Sequence, residues 1–159
     1  MGNKIYMIAG IAAIALIGFF VLSAGSGNEM ANAQSLPGPI HWHPRLEIEI
    51  NGEQQAIPSN IGIVVGNNID NQVSGMKMSP IHTHEPDGTL HLEQQFPNTE
   101  TVKLGYFFKV WGKKFNEECI FEYCNGAQGT VKMLVNGKEN LEFENYSMKD
   151  VDIIKIIFE

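Results

Sequence analysis

Two Asn-Gly dipeptides place the tightest constraint on how this chain can fold. Asn51-Gly52 follows residues 45–50, where charged and apolar residues alternate, and precedes a return segment at 53–57. Asn136-Gly137 follows an alternating segment at 131–135 and precedes a second return segment. Alternation with a period of two is typical of half-buried strands, and Asn-Gly favours the two-residue turn of a β-hairpin. The sequence therefore predicts two antiparallel hairpins.

An amphipathic helix is predicted between these hairpins. Its apolar residues recur at helical spacing and share one face: Leu104, Phe107, Phe108, Trp111 and Phe115. Gly112 supplies a stop signal in that pattern. Residues 153–158 are apolar on both faces, which is typical of a strand in the middle of a sheet. We therefore expect the final strand to lie centrally.

The N-terminal segment predicts export. Lys4 is followed by uncharged, mainly apolar residues from 5 to 24, a run long enough to cross a bilayer. Residues 1–24 are therefore interpreted as a membrane anchor or signal segment, and Lys4 favours an N-inside, C-outside single-pass orientation. Because Ala31-Asn32-Ala33 has the small-x-small pattern of a signal-peptidase site, the alternative is secretion after cleavage near Ala33.

Composition separates a linker from one folded domain. Residues 25–40 are rich in Gly, Ser, Asn and Pro and predict a flexible linker, which leaves 41–159 as an extracytoplasmic domain. The formal net charge is −7, and no basic stripe is present in the sequence. Nucleic acid is therefore excluded as an expected partner. The membrane, reached through the N-terminal helix, and a membrane-protein partner remain the expected ones.

The predicted order of elements resembles the β-grasp (ubiquitin-like) fold over residues 46–159, with 81–93 as an inserted hairpin. We therefore expect an α+β fold: an N-terminal transmembrane helix plus one β-grasp-like domain with an inserted, histidine-bearing β-hairpin. Ubiquitin-like and sulfur-carrier proteins end in Gly-Gly, whereas this chain has Phe158-Glu159 in that position. We therefore expect no carrier chemistry.

All five histidines fall into short clusters. His41 and His43 flank one tryptophan, His82 and His84 flank one threonine, and His91 follows on the predicted return strand. Residues two apart on a strand point to the same face, so each pair presents two imidazoles together. Imidazole nitrogen suits zinc, copper, nickel and iron. The clusters therefore predict a transition-metal site, with copper or zinc expected.

The register of the hairpin at 81–93 decides whether its histidines converge. With a four-residue loop at 85–88, His82 opposes His91 and shares a face with His84, and this register keeps the apolar and polar faces separate. With a three-residue loop and a bulge, His91 faces away. Glu93 lies on the His91 face in either register and is a further candidate ligand. We expect the three histidines to face away from the core, so that replacing them by Ala abolishes metal binding and leaves the fold intact.

A second resemblance covers the whole exported part. The motifs H-x-H-P at 41–44 and H-T-H-x-x-x-G-x-x-H at 82–91, followed by Leu104-Gly105-Tyr106 and Val135-Asn136-Gly137-Lys138, resemble a group of exported, often membrane-anchored proteins of archaea and bacteria. The resemblance implies an exported location and a common grouping of the histidines. It implies no particular activity.

Two further sites concern covalent chemistry. Cys119 and Cys124 are the only cysteines, and in an exported domain a structural disulfide is the expected state. Asn145-Tyr146-Ser147 matches the N-glycosylation acceptor pattern, which makes Asn145 a weak candidate because such triplets arise by chance.

Three kinds of function fit these observations. The first is an anchored extracytoplasmic domain that binds copper or zinc for metal handling or as a structural site. It would use His82, His84 and His91, with His41 and His43 either completing the shell or forming a second site. The second is a non-catalytic module that docks a membrane protein through its sheet. The third is a metalloenzyme in which three histidines leave a fourth position open for water. No catalytic residue emerges from the sequence, which favours the non-enzymatic alternatives.

Overall fold

A computed structural model describes residues 33–66 and 78–159 of the chain. These residues form ten strands and one α-helix, α1. Their bounds are β1 Ile40–Trp42, β2 Arg45–Ile50, β3 Glu53–Gln55, β4 Ile81–His82, β5 His91–Gln94, α1 Leu104–Trp111, β6 Cys119–Ile120, β7 Tyr123–Cys124, β8 Val131–Val135, β9 Lys138–Glu139 and β10 Ile153–Phe158. The strands make a five-stranded sheet in the order β3-β2-β10-β8-β9, a three-stranded sheet in the order β1-β5-β4, and a β6-β7 pair.

The five-stranded sheet is built around β10. This strand runs parallel to β2 on one side and antiparallel to β8 on the other, so the prediction of a central final strand is confirmed. Both predicted Asn-Gly hairpins are also confirmed, as β2-β3 and β8-β9. Asn51 and Asn136 have φ of 53° and 52°, and the glycines that follow also have positive φ. These are the angles that the tight two-residue turn requires.

The core lies between the sheets and α1. Leu104 and Phe107 on the helix are buried together with Ile154, Ile156 and Phe158 of β10. The helix ends as predicted at Gly112, whose φ of 73° is left-handed and whose N–H donates to the carbonyl of Lys109. This left-handed residue turns the chain out of the helix. Phe115 lies beyond the helix end, yet its ring packs 4.6 Å from that of Phe108.

A buried polar network fixes the start of β10. The Asp152 carboxylate accepts hydrogen bonds from the Tyr146 hydroxyl at 2.7 Å and the Asn136 side-chain amide at 2.9 Å. The side-chain oxygen of Asn136, Oδ1, in turn accepts from the backbone N–H of Ile153 at 2.8 Å. Arg45 donates its N–H to the Asp152 carbonyl at 2.7 Å. The network thereby connects β10 to the β8-β9 turn and to β2.

The described end of the predicted linker is attached to the domain. Gln34 donates its backbone N–H to the Thr99 hydroxyl at 3.0 Å, and Leu36 donates to the Pro97 carbonyl at 2.9 Å. Further along, β1 pairs with β5 as an edge strand. Residues 34–42 therefore continue the three-stranded sheet, and this pairing brings His41 next to the other histidines.

The expected fold class is wrong. In place of an α+β fold with a transmembrane helix and a β-grasp-like domain, the described residues are mostly β-sheet with a single eight-residue helix. No helix within 33–66 or 78–159 is long and apolar enough to cross a bilayer. The anchor or signal segment predicted at 1–24 lies outside the described residues. The amphipathic pattern identified a helix correctly, but the left-handed Gly112 limits it to two turns.

Candidate metal centre

The three-stranded sheet carries the candidate site on one face. Its central strand, β5, holds His91 and Glu93 two residues apart, so both side chains point the same way. His82 of β4 is the direct partner of His91, and His41 of β1 is the direct partner of Glu93. Two cross-strand pairs therefore share β5, and the favoured four-residue-loop register is the one observed.

Burial of apolar side chains on the opposite face holds this register. Ile81, Leu90 and Leu92 are all fully buried in the core, so a one-residue slip of β5 would bring its apolar side chains to the polar face. The turn between the strands includes Gly88, with φ of +84° and its carbonyl accepting from the Leu46 N–H at 2.8 Å. The turn is thus fastened to β2.

His82 is held in one tautomer. Its Nδ1 lies 3.0 Å from the backbone carbonyl oxygen of Ser79. A carbonyl oxygen only accepts, so Nδ1 carries the proton and Nε2 presents a bare lone pair. Metal-binding histidines commonly donate their second ring N–H in this way, which fixes the ring's orientation. Sequence reasoning missed Ser79, because nothing in the local pattern indicates where its carbonyl points.

His84 completes a close pair with His82. Their Nε2 atoms are 3.2 Å apart, so in the metal-free arrangement the His84 N–H donates to the His82 lone pair. Ligand nitrogens around a tetrahedral zinc ion, at about 2.0–2.1 Å from the metal, are separated by about 3.3 Å. The two nitrogens already have this separation, and a metal ion can take the place of the shared proton.

His91 contributes a buried nitrogen that lacks a hydrogen bond. Within the described residues, its Nδ1 is inaccessible to solvent and has no hydrogen-bond partner, since Glu93 Oε1 is 3.6 Å away. The His91 ring lies 4.6 Å from that of His84 and 5.6 Å from that of His82, centroid to centroid. A buried polar atom of this kind destabilises the fold unless something binds it.

Together these residues form an inner group that could hold a metal ion: His82, His84, His91 and Glu93. One ligand atom from each lies within 4.8 Å of all the others. Three imidazoles and one carboxylate match the donor sets of zinc and copper sites.

His82 shares the face of His91, opposite the buried Ile81 and Leu92, yet its side chain is only 1% exposed, so replacing it is expected to affect the fold as well as the metal site. Burial lowers the pKa of His82 below the ordinary histidine value. Burial also lowers the pKa of His91, with further contributions from the neighbouring His84 and His43. Both shifts favour the neutral imidazole, which is the form that binds metal.

An outer group adjoins the inner one: His41, His43 and Glu93. His41 Nε2 lies 3.4 Å from Glu93 Oε1, and the His43 ring lies 4.8 Å from both the His41 and His91 rings. The backbone N–H of His43 donates to Asp150 Oδ1 at 2.9 Å, which anchors the end of β1. All five histidines of the sequence therefore form one continuous cluster.

The remaining predicted sites lie elsewhere. Cys119 and Cys124 form a disulfide between β6 and β7, which confirms that prediction. Asn145 is exposed at the end of a short 3-10 helix, Phe143–Asn145, and its glycosylation stays a prediction.

Comparison of the chain with protein-family models, with curated proteins and with solved structures gave no match. The chemistry of the histidine cluster is therefore the main indication of what this protein does. Its donors and their spacing are those of a group that could hold a metal ion.

Proposed function

We propose that this protein is an exported metal-binding domain that holds a zinc or copper ion through His82, His84 and His91, with Glu93 as the fourth ligand. The observation that carries the proposal is the fixed tautomer of His82. Its Nδ1–H donates to the Ser79 carbonyl, and its Nε2 lies 3.2 Å from the His84 Nε2. A hydrogen bond that fixes the histidine ring in this way before metal binds is typical of metal sites.

Metal handling is favoured over a purely structural ion. The apolar face of the histidine sheet is already packed against the core, and the domain has a continuous core of its own. A domain of this size does not need a metal ion to fold. His84 is exposed, so a bound ion can exchange with solvent or with a partner's ligands.

An extracytoplasmic location is part of the proposal. The Cys119–Cys124 disulfide supports it, because such bonds persist in oxidising compartments and are rare in the cytosol.

The test is metal retention by the full-length, oxidised protein. After stripping with a chelator, the protein is dialysed against Zn²⁺ or Cu²⁺ and its metal content is measured by elemental analysis. We expect at least one tightly held ion per chain, and a higher melting temperature with metal because the ion binds the folded state.

Two single variants make the test specific. His84→Ala removes an exposed ligand and should weaken affinity at least about 100-fold, by analogy with losses seen when metal-site partners are removed. Glu85→Ala changes the adjacent exposed residue and should leave affinity unchanged. A wild-type protein that retains no metal, or an H84A variant that binds normally, would overturn the proposal.

A further inference from the structure

We infer that the histidine cluster holds two metal ions, with the Glu93 carboxylate bridging an inner ion on His82, His84 and His91 and an outer ion on His41 and His43. This inference depends on the proposed function of the inner group. It adds a second site of different affinity on the same sheet.

Glu93 occupies the only position common to both groups. Its Oε1 lies 3.4 Å from His41 Nε2 on one side and 3.6 Å from His91 Nδ1 on the other. The strand order β1-β5-β4 produces this arrangement, because Glu93 is paired with β1 while His91, two residues earlier, is paired with β4. A carboxylate has two oxygens and can bind one ion with each.

The number of donors argues against a single ion. Five imidazoles and one carboxylate exceed the four ligands that zinc takes in protein sites. The ligand atoms instead fall into two compact groups that share Glu93 alone. Two cations that share one carboxylate repel each other electrostatically. This repulsion makes the affinity for the second ion lower than the affinity for the first.

Exposure also makes the two positions unequal. The His41 side chain is 68% exposed, whereas His82 is buried and fixed by Ser79. The outer ligands lose more side-chain freedom on binding, and water competes with them more effectively. The outer ion therefore binds more weakly and exchanges first, which makes its position the entry and exit point of the centre.

The experiment is a zinc titration of the metal-free, full-length protein against a chromogenic chelator of known affinity. We expect two ions per chain in the wild type, with affinities at least about tenfold apart. The His41→Ala/His43→Ala double variant should bind one ion, with the tighter affinity kept within about threefold. Glu93→Gln should abolish binding of the weakly held ion and lower the affinity for the tightly held one. Glu53 is an exposed glutamate of the five-stranded sheet, so the matched control Glu53→Gln should bind zinc as the wild type does.

Copper(II) provides an independent readout of the bridge. Electron paramagnetic resonance intensity should rise with the first equivalent and fall short of doubling with the second, since ions joined through one carboxylate couple magnetically. In E93Q, which should hold only one ion, the spin intensity should equal the amount of bound copper, whereas in the wild type with two bound ions it should be smaller than that amount.

The outcomes separate the two proposals. One ion in the wild type, unaffected by the His41/His43 substitutions, overturns the two-ion centre and leaves the inner site intact. One ion that is lost when either group is changed indicates a single five-histidine site and also overturns the two-ion centre. No bound ion at all overturns both proposals.

Discussion

The Nδ1 atom of His82 donates a hydrogen bond to the backbone carbonyl of Ser79 at 3.0 Å. This bond gives His82 two functions, because the same ring packs inside the fold and presents a lone pair to the cluster. His84, two residues later, has an exposed ring. The two histidines should therefore respond differently to the same substitution.

His82→Ala should lower the free energy of unfolding of the metal-free protein by about 2 kcal/mol, because it leaves a cavity and removes a buried hydrogen bond. His84→Ala should change it by less than about 0.5 kcal/mol, as is usual for exposed positions. Urea unfolding monitored by tryptophan fluorescence measures both. Equal losses would mean that the Ser79 bond contributes nothing to stability.

Gly88 and Gly137 form a matched pair for testing the turn that carries the histidines. Both have positive φ, of 84° and 77°. A Cβ at Gly88 would overlap the Leu46 carbonyl oxygen, whereas among the described residues nothing lies within 4 Å of a Cβ at Gly137. Gly137→Ala should cost about 1–2 kcal/mol for the left-handed backbone alone. Gly88→Ala should lower the free energy of unfolding by clearly more than this and should also weaken metal binding. Similar losses of stability in the two variants would show that the nearby Leu46 carbonyl oxygen is not the cause.

Tyr146 should make stability fall in alkali. Burial and the hydrogen bond to Asp152 raise the pKa of Tyr146 well above its ordinary value. An unfolded tyrosine ionises near pH 10 while the folded one stays protonated, so this contribution is complete below about pH 10 and is lost as the pH rises further, by up to about 1.4 kcal/mol per pH unit.

Tyr146→Phe tests that assignment. The variant should lose about 1–3 kcal/mol at neutral pH, because the buried Asp152 carboxylate loses a donor, and its stability should fall less steeply above pH 10. Tyr123→Phe is the control, since the Tyr123 ring is half-buried against Phe158. Denaturant unfolding from pH 7 to 11 gives both slopes, and an unchanged slope in Y146F would contradict the prediction.

The disulfide should stabilise the domain without taking part in metal binding. It closes only the loop from Cys119 to Cys124, so the chain-entropy estimate is about 2 kcal/mol. The double variant Cys119→Ala/Cys124→Ala should lose about this amount and keep the wild-type metal content. Loss of metal in a variant that remains folded would indicate a link between the β6-β7 pair and the histidine sheet.

Local sequence patterns were sufficient for the turns and for the face on which most of the histidines lie. Asn51-Gly52 restricts its hairpin to a short turn, and the alternation around His91 leaves one register that buries Leu90 and Leu92 together. In both cases the deciding interactions join residues close in sequence. The same is true of the helix end at Gly112.

Two features of the site depend on contacts between distant segments, which local sequence patterns do not determine. The pairing of 40–42 with 92–94 brings His41 to Glu93, yet the local composition of 25–40 predicts a linker. The burial of His82 depends on the course of the chain around Ser79. The fold class failed for a related reason: periodicity identifies a helix but does not fix its share of the finished domain.

The position of β10 has a consequence for the order of events during biosynthesis. This strand separates β2 from β8, and its parallel partner β2 lies more than a hundred positions earlier in the chain. Until residues 153–158 have emerged from the ribosome, the sheet lacks its middle and β2 lacks a partner on that side. The five-stranded sheet therefore cannot close before residue 158 has been synthesised, whereas the β4-β5 and β8-β9 hairpins pair segments that lie close together in the chain.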